Sequence, residues 1–297
     1  MLQIRTYELL FRYNIFMNKE NYFIKQFQSN TFIGDDGAVI LEKLNKNENY
    51  VYSMDAFFEN IHFKKDWFSL KQIAQKSMLV NISDAIVMNA KPKYALLSVA
   101  IPPSYTKDDL KELAKGFKSI AKKYGITIIG GDTISNTKLD ISITIISITS
   151  NPIYRTGTKK DDLVCYTGKL GDCKKDLKRL FANKKISNRS KFIKPQLHSE
   201  FFYEISPYIS SALDISDGLF FELERLSKAN KIGFEFFKEI PSSIGCSGEE
   251  YEILFSFDKK FKQIIKQIAK RYNIKLNIFA KSIDGKYKNR CKGHHFG

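Results

Sequence analysis

The chain is poor in the residues that usually mark a metal knuckle, a signal segment or a nucleophile. Its four cysteines, Cys165, Cys173, Cys246 and Cys291, show no Cys-x-x-Cys spacing and no histidine at zinc-finger distance. Neither a zinc knuckle nor a disulfide framework is therefore expected, and a reducing, cytoplasmic setting fits. No apolar run approaches the ~20 residues of a membrane span. Leu9-Leu10-Phe11 is broken at once by Arg12, which argues against a signal-peptide core. There is no Gly-x-x-x-x-Gly-Lys-Ser/Thr loop, no Gly-x-Gly-x-x-Gly after the first strand, no serine-centred elbow and no internal repeat. Acids are outnumbered, 32 against 48 Lys and Arg, and the net charge of +16 would suit a polyanion partner. The lysines are scattered rather than blocked, so the charge reads as solvated surface and no nucleic-acid partner is expected.

What is present is ordinary globular material, 43% apolar and 27% charged over 297 residues, enough for a full core and two domains. Residues 1–16 fit nothing that follows, and Met17-Asn18-Lys19-Glu20 reads as a more natural start, so the first segment is expected to be an extension. A short helix is expected over Asn21 to Phe27. Strands are expected at Ala38 to Leu41, Tyr50 to Asp55, Tyr94 to Ile101 and Leu139 to Ile148. Ser69 to Ala90 has helical spacing and puts Asp84 on a largely apolar stripe, which is costly unless the carboxylate is paired or metal-bound. Lys76 is one candidate partner. Asn89 is suited to a left-handed turn. Thr106 to Asp109 opens the clearest helix, with Gly125 as its stop. Ile126 to Ile129 reads as a buried strand running into Gly130-Gly131-Asp132-Thr133.

After a linker at Asn151-Pro152 come a strand at Leu163 to Thr167 and a strongly basic stretch from Lys174 to Lys194. Asp214-Ile215-Ser216-Asp217-Gly218-Leu219 then puts two acids and a hydroxyl ahead of an apolar helix ending near Ala229. Helix starts attract anions and carboxylates repel them, so this stretch reads either as a cap made by Ser216 or Asp217 or as metal-bridged phosphate. A strand near Phe255 and a helix from Phe261 to Tyr272 follow. Asp36, Asp55, Asp84, Asp132, Asp214 and Asp217 sit mostly at strand ends or helix starts, where α/β folds gather ligands. Many oxygen ligands with little histidine or thiolate specify Mg²⁺, and with a nucleotide triphosphate the natural chemistry is phosphoryl transfer.

Eight motifs occur in order: Gly34-Asp35-Asp36, Ser53-Met54-Asp55, His62-Phe63, Asn81-Ile82-Ser83-Asp84, Gly130-Gly131-Asp132-Thr133, Arg155-Thr156-Gly157, Asp214 to Leu219, and Ser247-Gly248-Glu249. In that order the chain resembles the thiamine-monophosphate kinases of the aminoimidazole-ribotide-synthetase-like superfamily, over about Met17 to Phe296. The resemblance implies a two-lobed α/β fold whose N-terminal sheet pairs with its twin in a homodimer. It divides the chain into an extension (1–16), a metal-binding and dimerising lobe (17–150) and a nucleotide-covering lobe (151–297). It also implies ATP-dependent phosphorylation of thiamine monophosphate, with a synthetase of the same superfamily as the rival reading. Carried over, Asp36, Ser53, Asp55, Asp84, Asp132, Asp214 and Asp217 would hold several Mg²⁺ ions. Gly131, Asp132, Arg155 and Ser216 would contact ATP. His62, Glu249 and Phe296 would line the acceptor site, and Arg155 and Asp84 would stabilise charge without a general base. The chain departs from the family at Glu250, where Asp is usual, at Asn89, where Gly is usual, and at Lys292-Gly293-His294-His295-Phe296, which lacks the family's penultimate aromatic.

Overall fold

The computed structural model describes residues 35–40 and 48–291, with the side chain of Ile40 outside the description. The expected helix at Asn21 to Phe27, the extension and Phe296 lie outside these residues. Alternation of side chains on successive strands builds a first, mixed sheet of five: β1 (Ala38–Ile40), β2 (Asn49–Phe58), β3 (Lys91–Ile101), β4 (Thr127–Ser135) and β5 (Asp140–Thr149), in the order β1-β2-β5-β3-β4. Only the β3–β4 pair is parallel. In β5 the odd-numbered isoleucines 141, 143 and 145 are buried while Asp140, Ser142 and Thr144 face outward, as the period of two requires.

Helix α1 (Leu70–Val87) covers the inner face of this sheet. Ser69 starts it with a reciprocal capping box to Gln72, and fifteen of its eighteen residues are buried, so it is a core element on nearly every side. Burying Ile73, Met78, Leu79, Ile82 and Ile86 stabilises the fold by roughly 1.5–3 kcal/mol each. Asn89 ends the turn at φ +55°, the left-handed conformation expected of it. Helix α2 (Lys107–Tyr124) packs against α1, with Thr106 and Asp109 forming its capping box and Gly125 its left-handed stop at φ +67°. Gly116 permits the close approach, since a Cβ there would lie 2.5 Å from Lys71 O and Ala74 Cβ.

A second, antiparallel sheet follows: β6 (Leu163–Thr167), β7 (Ser211–Asp214), β8 (Ile232–Phe236), β9 (Ile253–Phe257) and β10 (Leu276–Asp284), in the order β7-β9-β6-β10-β8. Its helices are α3 (Asp172–Phe181), α4 (Ser199–Ile205), α5 (Leu219–Asn230), α6 (Ser242–Gly245) and α7 (Lys262–Arg271). The buried apolar cluster is continuous from Ile141 of β5 through Ile82 of α1 to Phe255 of β9. β8 and β10 carried no turn-bounded apolar pattern that the sequence reading recognised.

Three expectations are corrected. β4 is an exposed edge strand rather than a buried one, because nothing among the described residues covers its apolar run. Cys246 and Cys291 form a disulfide with Cα atoms 5.7 Å apart. They are 45 residues apart in sequence, and only the packing of the 285–291 segment beside α5 and α6 brings them together. Finally, the N-cap of α5 is Gly218 at φ +114°, with no side-chain cap, so neither Ser216 nor Asp217 caps it. No helix among the described residues is long and apolar enough to cross a membrane.

Candidate active site

The acids converge where α1, β2 and the end of β7 meet. Alternation along β2 turns Val51, Ser53, Asp55 and Phe57 toward α1, while Met54 and Phe58 point away. Asp55 N–H donates to Asn81 Oδ1 of α1 at 2.7 Å, joining strand and helix. Two residues on, Ser83 donates its hydroxyl to Asp214 Oδ2 at 2.7 Å, joining α1 to the end of β7. The result is that one ligand atom each of Asp36, Asp84 and Asp214 lies within 4.8 Å of the others.

Like charges this close, removed from bulk water, resist ionisation. Burial, then Asp55 and Asp214, push the Asp84 carboxyl well above the carboxylate range. Burial and Asp36 do the same to Asp214, against the Ser83 hydrogen bond. Asp55 is raised to about 6 by burial and then by Asp36, Glu249 and Asp217, which places those three acids in its field. Ser53, also facing inward, is buried, and its hydroxyl has no hydrogen-bond partner among the described residues. A set of crowded carboxylates and an orphaned hydroxyl, all hard oxygen donors, fits a divalent cation of the Mg²⁺ type.

Two arginines answer part of this charge. Arg155 grips Asp36 with both arms, Nη2 to Oδ1 at 2.6 Å and Nε to Oδ2 at 3.0 Å, and its backbone N–H donates to Asp35. Arg225 of α5 donates to Asp217 Oδ2 at 2.5 Å and to both oxygens of buried Glu222. Sequence reading missed Arg225 and Glu222; the available signal was an acid and a base three apart in the first turns of the helix after the 214–219 stretch. Lys76, named as a candidate partner of Asp84, instead pairs with Glu249 at 2.7 Å.

The loop 215–218 is held by backbone pairing with the segment that carries Glu249: Glu249 N–H donates to Ser216 O at 2.6 Å and Tyr251 N–H to Ile215 O at 2.9 Å. Gly248 allows that approach, since a Cβ there would stand 2.9 Å from Ser216 O. Ser216 and Asp217 are half-buried at this loop. His62 closes the turn after β2, accepting from Phe58 N–H at Nδ1 (2.9 Å) and stacking on Phe57. Gly131 and Asp132 are not part of the cluster among these residues. They lie on exposed β4, where a Cβ on Gly131 would strike Leu97 O at 1.8 Å and Asp132 accepts from Thr133 N–H. Glu250, the acid that departs from the family pattern, is buried and is not one of the clustered aspartates. It accepts from Gly171 N–H at the start of α3 and pairs with Lys191 at 2.5 Å. A separate cavity of about 390 Å³ opens beside it, lined by Asp172, Arg189, Lys191 and Glu252, and does not include the aspartate cluster.

Residues 34–149 match the family described as AIR synthase related protein, N-terminal domain, in keeping with the class of fold. The chain is 34% identical over 253 residues to the thiamine-monophosphate kinase of Buchnera aphidicola subsp. Schizaphis graminum, covering 77% of each chain. It is 30% identical over 275 residues to that of Methanocaldococcus jannaschii, covering 82% of this chain and 85% of that one. The solved structure of AaThiL complexed with AMPPCP and TMP superimposes with a TM-score of 0.81 at 21% identity, covering 93% of this chain and 95% of that chain, a likeness of fold. The chain belongs to the thiamine-monophosphate kinase family, and is a phosphotransferase.

Proposed function

We propose that this enzyme transfers the γ-phosphoryl group of ATP to the phosphate of thiamine monophosphate, giving thiamine diphosphate and ADP. The observation that carries the reading is the convergence of Asp36, Asp84 and Asp214 within 4.8 Å beside Arg155, in a chain whose relatives are thiamine-monophosphate kinases. Asp36, Ser53, Asp55, Asp84, Asp132, Asp214 and Asp217 would hold Mg²⁺, which when bound would neutralise the triphosphate and the acceptor. Gly131, Asp132, Arg155 and Ser216 would contact ATP, and His62, Glu249 and Phe296 the acceptor.

The acceptor phosphate is an anion near neutral pH, so one of its oxygens attacks the γ-phosphorus in line as the bond to the β-bridging oxygen breaks. ADP leaves with that electron pair, and no side chain has to remove a proton. Arg155 would release Asp36 and offset the charge on the transferring group. Product analysis with ATP, Mg²⁺ and thiamine monophosphate is expected to show equal amounts of ADP and thiamine diphosphate. ADP formed at the same rate without the acceptor, or orthophosphate in place of thiamine diphosphate, would sink the kinase reading.

The two lobes, 17–150 and 151–297, and a cytoplasmic homodimer belong to the same proposal. Support for the dimer comes from the outer face of the first sheet. Met54 (63% exposed), Phe58, Tyr94 and Leu96 share it, and β4, an edge strand among the described residues, adds Ile129 (52%) and Ile134 (57%). Such an apolar face with an open edge calls for a partner. Sedimentation at micromolar concentration is expected to give twice the mass of the 34.3 kDa chain; a monomer there removes the dimer.

A further inference from the structure

Lys76 is the one lysine among the described residues whose side chain is wholly buried, and it sits on the central helix next to the acidic site. An unpaired ammonium there would be strongly destabilising, so its contacts carry information. Nζ lies 2.7 Å from Glu249 Oε2, aligned as an ion pair rather than a hydrogen bond. It also lies 3.9 Å from the centre of the Phe192 ring and within 6 Å of those of Phe57 and Phe68, a cation–π box that fixes where the charge can be. The other carboxylate oxygen of Glu249 accepts from the Tyr251 hydroxyl at 3.1 Å.

Glu249 would not stay there unaided. It shares the field of the Asp55 carboxylate, and repulsion between the two like charges favours swinging the side chain out to water. The backbone is strained at the same place: Glu249 (φ +60°) and Tyr251 (φ +48°) are both non-glycine residues in the left-handed region, locked by their bonds to the 215–216 loop. Strain of this kind persists only where surrounding structure over-determines it. Two groups hold a carboxylate that is still 26% exposed, so it keeps acceptor sites free on the side open to a ligand.

We infer that Lys76 and Tyr251 are positioning residues that hold the Glu249 carboxylate beside the aspartate cluster, aimed at the positively charged ring system of the acceptor. The inference rests on the reading of Glu249 as an acceptor-site residue. Lys76 acts through Glu249: it offsets the repulsion from Asp55 and fixes the rotamer, while the Phe57, Phe68 and Phe192 box keeps water from competing for the ammonium.

Steady-state kinetics on the full chain test it, with KM measured separately for thiamine monophosphate and ATP. Lys76→Met and Glu249→Gln are each expected to raise KM for thiamine monophosphate about tenfold or more, and to leave KM for ATP within about twofold. The double variant should be no worse than the poorer single, because both changes remove one interaction. Tyr251→Phe keeps the ring packing and should raise the same KM by about threefold to tenfold, so it decides the matter even where Lys76→Met does not fold. An unchanged KM in Glu249→Gln overturns the acceptor-site reading and this inference with it. A raised KM in Glu249→Gln with unchanged values in Tyr251→Phe and folded Lys76→Met overturns the positioning role alone, as does an equal rise in KM for both substrates.

Discussion

Asp84→Asn is expected to abolish Mg²⁺-dependent turnover while leaving the chain folded, and to make the metal-free protein more stable above neutral pH. Asp84 stands on the buried helix α1 with its ligand atom within 4.8 Å of those of Asp36 and Asp214. An amide is a weaker, neutral ligand of the same shape. Losing one carboxylate from a catalytic cation site removes several kcal/mol of transition-state stabilisation, on the order of a thousandfold in kcat. The stability gain follows from the direction of the pKa shifts. Asp84, Asp214 and Asp55 all titrate above the unfolded value of 3.8. The folded protein therefore binds protons more tightly than the unfolded chain, and the stability these groups contribute is present at acid pH and lost as pH rises. For Asp55 that loss spans 3.8 to about 6. At pH 8 in a chelator the three carboxylates repel one another, and Asp84→Asn relieves part of this; at pH 4 parent and variant should melt together. Turnover at ordinary Mg²⁺ takes Asp84 out of the metal site, and a variant that melts lower than its parent at pH 8 rules out the like-charge account.

Arg155→Met is expected to change two quantities in opposite directions. The two-armed hold of Arg155 on Asp36 occupies both carboxylate oxygens. A cation entering at Asp36 must displace this pairing, so its removal should tighten Mg²⁺ binding to the nucleotide-free chain by about tenfold, the size of a charge-assisted hydrogen bond. Turnover should fall by about a hundredfold to a thousandfold, because the guanidinium would no longer meet the charge on the transferring phosphoryl group. Calorimetric titration with Mg²⁺ and kcat at saturating ATP measure the two. Weaker Mg²⁺ binding in the variant contradicts competition for Asp36, and unchanged kcat removes Arg155 from the transition state.

The backbone-level expectations that matched the structure rest on local chemistry. The Thr106 capping box with its Gly125 stop, the left-handed Asn89 and the alternating Ile141, Ile143 and Ile145 each depend on residues within a turn or two of one another. The acids were legible as a set for the same reason, but their placement was not: Asp55, expected to end its strand, lies within β2, which runs on to Phe58, and Asp214 ends β7, a strand not expected from the sequence. The failures all involve the partner across space. The exposure of β4 depends on what lies beside a sheet edge. The Cys246–Cys291 bond and the Lys76–Glu249 pair join residues 45 and 173 positions apart. Gly218 rather than Ser216 or Asp217 begins α5 because the loop is already committed to pairing with Glu249 and Tyr251.

By itself, then, the sequence determined the alternation of strands and helices, the oxygen-rich character of the site and the family, since periodicity, capping and motif order are properties of neighbouring residues. Tertiary structure alone decided which charges meet. Asp36 went to Arg155, Asp217 to Arg225 and Lys76 to Glu249, while Asp84 and Asp214 were left facing each other. The physical reason is that a charge pair is worth little until burial removes water from between its members, and burial is set by how α1 packs between two sheets that are distant in sequence.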